Sequence, residues 1–182
     1  RSTEKEEDKR IYAHILGMMG DDTGSELLIQ AIELRGWDEK GNLYGRRQSP
    51  IDDLIIALGR TRDPHGLEPI LEKLEQLDAG SVFSHHRAVA LALESIGDPK
   101  AAKPLAELLK KPGMTGYAAT DLESAKRQER YESLRELILA RALYRCGDYQ
   151  GLGEKILRKY ENDLRDHQSR HAHAILKEKR NK

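Results

Sequence analysis

One pattern, met four times, restricts this chain to a stack of like units. The stretches Leu16 to Ile32 (LGMMGDDTGSELLIQAI), Leu58 to Leu74 (LGRTRDPHGLEPILEKL), Leu93 to Leu109 (LESIGDPKAAKPLAELL) and Leu143 to Lys159 (LYRCGDYQGLGEKILRK) align without gaps. In each, one helical apolar pattern closes, a short turn carries an Asp at a fixed place, and a second helical pattern begins. A unit of two short helices cannot bury its own apolar face, so such units are stable only when stacked.

The turn residues have physical reasons. The anchors are Asp21, Asp63, Asp98 and Asp148, preceded by Gly20, Arg62, Gly97 and Gly147. Glycine ends a helix in the left-handed conformation at little cost. An Asp carboxylate accepts hydrogen bonds from the free amides of the turn and of the following helix. Pro64 and Pro99 stop the first helix, while Pro69 and Pro104 suit the first turn of the second. Apolar spacing places Leu67, Ile70, Leu71, Leu74 and Leu77 on one face, and Ala102, Leu105, Ala106 and Leu109 on another. The same rule gives the first helices Ile11, Ile15 and Leu16; Ile51, Leu54, Ile55 and Leu58; Val89, Ala90 and Leu93; and Leu134, Leu137 and Ile138. These are expected to line the core. The fold class expected is all-α, an α-solenoid of about four helix pairs with a closing C-terminal helix.

At this point the pattern has a likeness. LESIGDPKAAKPLAELL resembles the short bacterial HEAT-like repeat, the type also present in phycobilisome lyase subunits. Over a longer span, SHHRAVALALESIGDP, KPGMTGYA and ELILARALYRCGDYQGLGEKIL resemble the C-terminal region appended to some bacterial FAD-dependent oxidoreductases. The first resemblance implies an adaptor or scaffold; the second implies a module of a larger oxidoreductase. The chain starts at Arg1 without a Met or a signal-like segment, which reads as a piece of something longer. No internal linker is visible, so one domain over residues 1–182 is expected, with turns near 20–24, 62–66, 97–101 and 147–151.

Composition narrows the function. The 182 residues carry 31 Lys and Arg against 31 Asp and Glu, so no whole-chain charge argues for nucleic acid or an acidic membrane. No apolar run reaches the roughly 18–20 residues of a membrane helix. One Cys excludes an internal disulfide framework. No GxGxxG, HExxH or GxSxG occurs, and Cys146 closes a helix as a small apolar residue. No cofactor, no metal and no catalytic residue is assigned. His167 and His171 share a helix face near Asp163, Asp166 and His173, yet lack the cysteines that structural zinc favours.

The repeats differ in the connections that follow each second helix: residues 36–50, 78–85 and 112–120. In a solenoid such insertions gather on one edge. With His86, which follows the second of them, they hold Trp37, Tyr44, Arg46, Arg47, Phe83, His85, Met114 and Tyr117. Aromatics and Arg dominate binding energy at interfaces, so this edge is the expected site for a protein partner, an adjacent domain or another chain. Trp37 and Phe83 either face that partner or pack beneath their own loops. Two other functions stay open, an accessory lyase or isomerase and a nucleic-acid binder using the basic C-terminal helix.

Overall fold

The structure, a computed structural model, describes residues 2–37, 50–126 and 129–180. It is all-α: no strand occurs among the described residues. The helices are α1 (Ser2–Met19), α2 (Ser25–Glu33), α3 (Pro50–Thr61), α4 (Leu67–Glu75), α5 (Phe83–Ile96), α6 (Ala102–Lys110), α7 (Leu122–Ala125), α8 (Arg130–Arg145), α9 (Leu152–Glu161) and α10 (Asp166–Arg180). Each expected pair is present, as is the closing helix. The one-turn α7 is additional. The chain divides into two compact units, Arg1–Gln76 with Ser84–Asp98, and Leu77–Phe83 with Pro99–Lys182.

The turns form as their chemistry requires. Gly20, Gly97 and Gly147 all take positive φ, at 85°, 71° and 117°. The amides of Asp21 and Asp148 reach back to the carbonyls of Leu16 and Leu143, closing the helix ends in the Schellman manner. Arg62 fills the glycine place in the second turn and is itself left-handed, at φ 60°. A side chain at that φ costs on the order of 1 kcal/mol. One fully buried Leu contributes about 1.5–3 kcal/mol, so the core tolerates the exception. Pro64 and Pro99 open single 3-10 turns, Pro64–Gly66 and Pro99–Ala101.

In the first unit, α1 packs on α2 and α3, and α2 on α4. Leu28, Ile32, Ile51, Ile55, Leu58, Ile70, Leu74, Val89 and Leu93 are buried there. The approach of successive first helices is set by glycine against alanine. A Cβ on Gly59 would stand 2.3 Å from Ala92 Cα, and one on Gly17 would stand 3.1 Å from the Ala57 carbonyl oxygen. This corrects one expectation. Ile11 and Ile15 are 47% and 48% exposed, and α1 turns its small residues Ala13 and Gly17 inward instead. Helices this close leave no room for isoleucine on the facing side.

Side-by-side helix ends also share their capping. Arg60 Nη1 donates to Met18 O (3.1 Å), joining the end of α3 to that of α1. Lys73 Nζ donates to Arg35 O (2.6 Å), just past α2. In the second unit Lys111 Nζ donates to Leu77 O (2.7 Å). Cations there satisfy orphan carbonyls and meet the negative end of the helix dipole. The second unit packs α8 against α6, α9 and α10 around Leu105, Leu109, Leu137, Leu143, Ile156, Leu157 and Tyr160.

Two substitutions separate backbone strain from packing. Arg62→Gly is expected to raise unfolding free energy by about 0.5–1 kcal/mol, since strain relief exceeds the added chain entropy. Gly59→Ala is expected to lower it by about 1–3 kcal/mol through overpacking. Urea denaturation followed by circular dichroism reads both; a neutral Gly59→Ala would refute the close-approach account.

Candidate interaction site

The connection after α6 is held in one conformation by charges buried in the second unit. Glu136, 1% exposed on α8, accepts the amides of Gly116 (3.0 Å) and Tyr117 (2.8 Å) and the hydroxyl of Tyr160 (2.9 Å). Asp163 accepts the Ala119 amide (2.7 Å) and the Arg165 guanidinium (2.6 Å and 2.8 Å). Arg165 extends to the Tyr117 carbonyl (2.7 Å) and Ser133 Oγ (3.2 Å). The Leu164 amide closes on Ala119 O (2.8 Å). Arg135 donates to Ala79 O (2.8 Å) and Gly113 O (2.6 Å), so one guanidinium clips two of the variable connections together.

The electrostatics balance. Asp163 is paired with Arg165, and Glu136 is held by two loop amides and the Tyr160 hydroxyl; buried charge is tolerated only when paired or hydrogen-bonded in this way. Burial pushes the Asp163 carboxyl up, but Arg165 and the Ala119 and Arg165 amides outweigh it and hold it below the usual carboxylate range. Burial, then the Glu136 charge, push the Tyr160 phenol far above its ordinary value, so it stays a proton donor. These groups are spent on fixing backbone. None is left as a free acid or base.

The network escaped the sequence reading. Glu136 sits among Ser133, Leu139 and Ala140, all 0% exposed, so a charge interrupting a buried helical stripe was its visible signal. Its loop partners lie too far along the chain for periodicity to reveal.

The nine residues expected on the edge separate into three groups. Tyr44, Arg46 and Arg47 lie outside the described residues. Met114 and His86 are 0% exposed, and His85 is buried with Nδ1 2.7 Å from Asp52 Oδ1. Trp37 is half-buried in the first unit, donating Nε1 to Lys73 O (3.1 Å), with its ring centroid 4.4 Å from that of His85. Phe83 and Tyr117 remain half-exposed in the second unit. The Phe83 ring centroid is 5.8 Å from that of Tyr131, and Arg135 stands 5.9 Å from the Tyr117 ring centroid. Tyr131 and Val82, which the sequence reading did not single out, are 66% and 61% exposed. Around the Arg135 clip, then, the second unit presents Val82, Phe83, Tyr117 and Tyr131.

Of the turn aspartates, Asp21 accepts the Thr23 amide (2.9 Å) and Asp63 accepts the His65 amide (2.9 Å). Asp148 reaches further, to the amides of Gly153 (2.6 Å) and Glu154 (3.1 Å) at the start of α9. Asp98 occupies the equivalent turn before Pro99.

Among the described residues no group of three His, Cys, Asp or Glu is placed to hold a metal. No described helix is long and apolar enough to cross a membrane. His173 Nδ1 pairs with Glu161 (2.8 Å), and His171 Nε2 lies 3.3 Å from Arg141 Nη1. Burial, then repulsion from Arg141 and Arg145, depress the His171 pKa.

A model of the PBS lyase HEAT-like repeat family matches residues 86–111, from α5 through α6. This segment is a HEAT-like repeat. No curated protein and no solved structure matches the chain significantly. The HEAT-like repeat carries the Gly97–Asp98–Pro99 turn, the same Leu-to-Asp pattern that recurs at Asp21, Asp63 and Asp148.

Glu136→Gln places an amide group against the two loop amides. It is expected to cost about 2–4 kcal/mol of stability and to speed hydrogen exchange at Gly116 and Tyr117 ahead of the α8 amides. Uniform exchange throughout the unit would refute the latch. For His171 the sign follows from its lowered pKa. Below about pH 6.5 the unfolded chain takes up a proton that folded His171 refuses, so folding weakens as pH falls toward the folded group's own pKa. Thermal melts at about pH 7.5 and 5.5 should therefore differ less in His171→Gln than in the unmodified chain.

Proposed function

We propose that the chain is a non-catalytic interaction module of HEAT-like repeats whose docking edge is the paired connections of the second unit. One observation carries this reading: apolar and aromatic side chains, Val82, Phe83 and Tyr131, stand at the surface beside a loop fixed by buried charges. Rigid presentation lowers the entropy lost on contact, and exposed aromatics supply the binding energy. Absence of catalysis is supported by Cys146, at 1% exposure, and by the acids of the network, which are saturated with donors. Resemblance to the region appended to bacterial FAD-dependent oxidoreductases makes a flavoprotein domain the first partner to test.

The test is purification of the tagged native gene product from source cells, with and without Val82→Asp and Tyr131→Ala. Both side chains are exposed, so the melting temperature should change by no more than about 2 °C. A specific associated domain or chain should be lost from the double variant, with binding weakened at least about tenfold. An unchanged set of associated proteins would sink the assignment of the edge.

A further inference from the structure

The outward stripe of α1 is apolar and exposed, and contiguous exposed apolar patches mark interaction surfaces. Ile11, Ile15 and Met19 recur at i, i+4 and i+8, flanked by Tyr12, and are 47%, 48%, 79% and 66% exposed in the order Ile11, Ile15, Met19, Tyr12. Repeat register shows what that face is built for. Ile15, Ala57 and Ala92 hold the same place relative to Asp21, Asp63 and Asp98. Ala57 and Ala92 are each 0% exposed because a glycine of the preceding helix lies on them. The matching position on α1 is uncovered, and it carries an isoleucine too large to take such a glycine contact.

The ends of the stripe carry opposite charge. Asp8, one turn before Tyr12, is exposed at the N-terminal end. At the other end Met19 borders an open recess lined by Met18, Gly20, Arg60, Thr61 and Arg62, and by no acid. Arg60 is partly committed to Met18 O, while Arg62 is exposed at the rim. Asp21 is turned back onto the Thr23 amide. From position 8 to position 19 a helix rises about 16 Å. A helix laid antiparallel along this stripe, with apolar residues in its middle and an acid at its N-terminal end, matches both the apolar and the charged parts. The stripe of α1 has that arrangement.

We propose that a second copy of this chain covers the stripe, the two α1 helices crossing antiparallel about a two-fold axis near residues 13 and 14. Each Asp8 then meets the other chain's Arg62, and Ile11, Ile15 and Met19 interleave between them. Such a pairing buries on the order of 1,000 Å² in total, the lower end of specific interfaces, so the dimer is a weak one, in the micromolar range. It is independent of the docking edge, which lies in the other unit.

The experiment is sedimentation velocity of the full chain from about 1 to 300 μM, bracketing a micromolar dissociation constant. A concentration-dependent dimer is expected. Ile15→Glu, at an exposed position, should weaken it by at least about tenfold with the helical spectrum unchanged. Asp8→Arg and Arg62→Asp should each weaken self-association, because each puts like charges together at both ends; aspartate also tolerates the left-handed backbone of position 62. Mixing the two variants restores opposite charges at both ends, so the mixture should associate more tightly than either alone. A chain that stays monomeric throughout overturns the proposal. So does a dimer indifferent to Ile15→Glu, or a mixture no tighter than its components.

Discussion

Two glycines decide how closely the first helices of the first unit approach, and much of that unit's surface follows from them. With a Cβ on Gly59 placed 2.3 Å from Ala92 Cα, the α3–α5 contact is one of backbone on backbone. The α1–α3 contact through Gly17 and Ala57 is almost as close, and Gly24 would press a Cβ to 2.7 Å from Ala13. At such spacing the inner side of α1 admits only small residues. Its large apolar side chains must stand elsewhere, and the opposite face is the one left. The same proximity brings helix ends into line, which is why Arg60 and Lys73 reach carbonyls one repeat away. Close packing gains dispersion and burial here, while the long cations satisfy the exposed helix ends.

The second unit solves a different problem. Its long connection after α6 returns polar backbone to the interior, and buried amides need partners. Glu136 and Asp163 supply them, Arg165 pairs with Asp163, and Arg135 satisfies the carbonyls of Ala79 and Gly113. Replacing the acids by apolar side chains of similar volume would leave the amides of Gly116, Tyr117 and Ala119 without acceptors, at about 1–3 kcal/mol each. The charges also add definition. Only one path of residues 113–119 places the amides of Gly116, Tyr117 and Ala119 on those two carboxylates. A loop specified so narrowly suits recognition better than it suits stability.

The parts of the fold legible from sequence were those set by local chemistry. Glycine, Asp and Pro at fixed offsets announced the turns, and even Arg62, the exception, adopted the glycine conformation that its neighbours predicted. Periodicity found the stripes on α4 and α6, where one apolar face has no competitor. It failed on α1, which has two candidate faces, one large and one small. Choosing between them needs the helix spacing, a property of the neighbour. The edge residues divided for a similar reason. An indole N–H needs an acceptor when half-buried, and Lys73 O lies 36 positions away from Trp37. His85 found Asp52 in the same long-range way. No local pattern distinguishes an aromatic that packs from one that is presented.

The turn aspartates show why function is to be sought outside the repeat core. Asp21 and Asp63 each hold an amide two residues ahead. Asp148 instead spans to Gly153 and Glu154, because Gly147, Asp148, Gln150 and Gly151 all take positive φ and lengthen the turn. Three of those four residues are Gly or Asp, types that enter this region most readily. The repeat therefore survives a different backbone path so long as some carboxylate finds free amides at the start of the second helix. A feature so tolerant of detail serves folding. The proposed docking edge draws instead on what the repeats do not share: in the second unit, the pair of connections clipped by Arg135, which no other turn reproduces among the described residues.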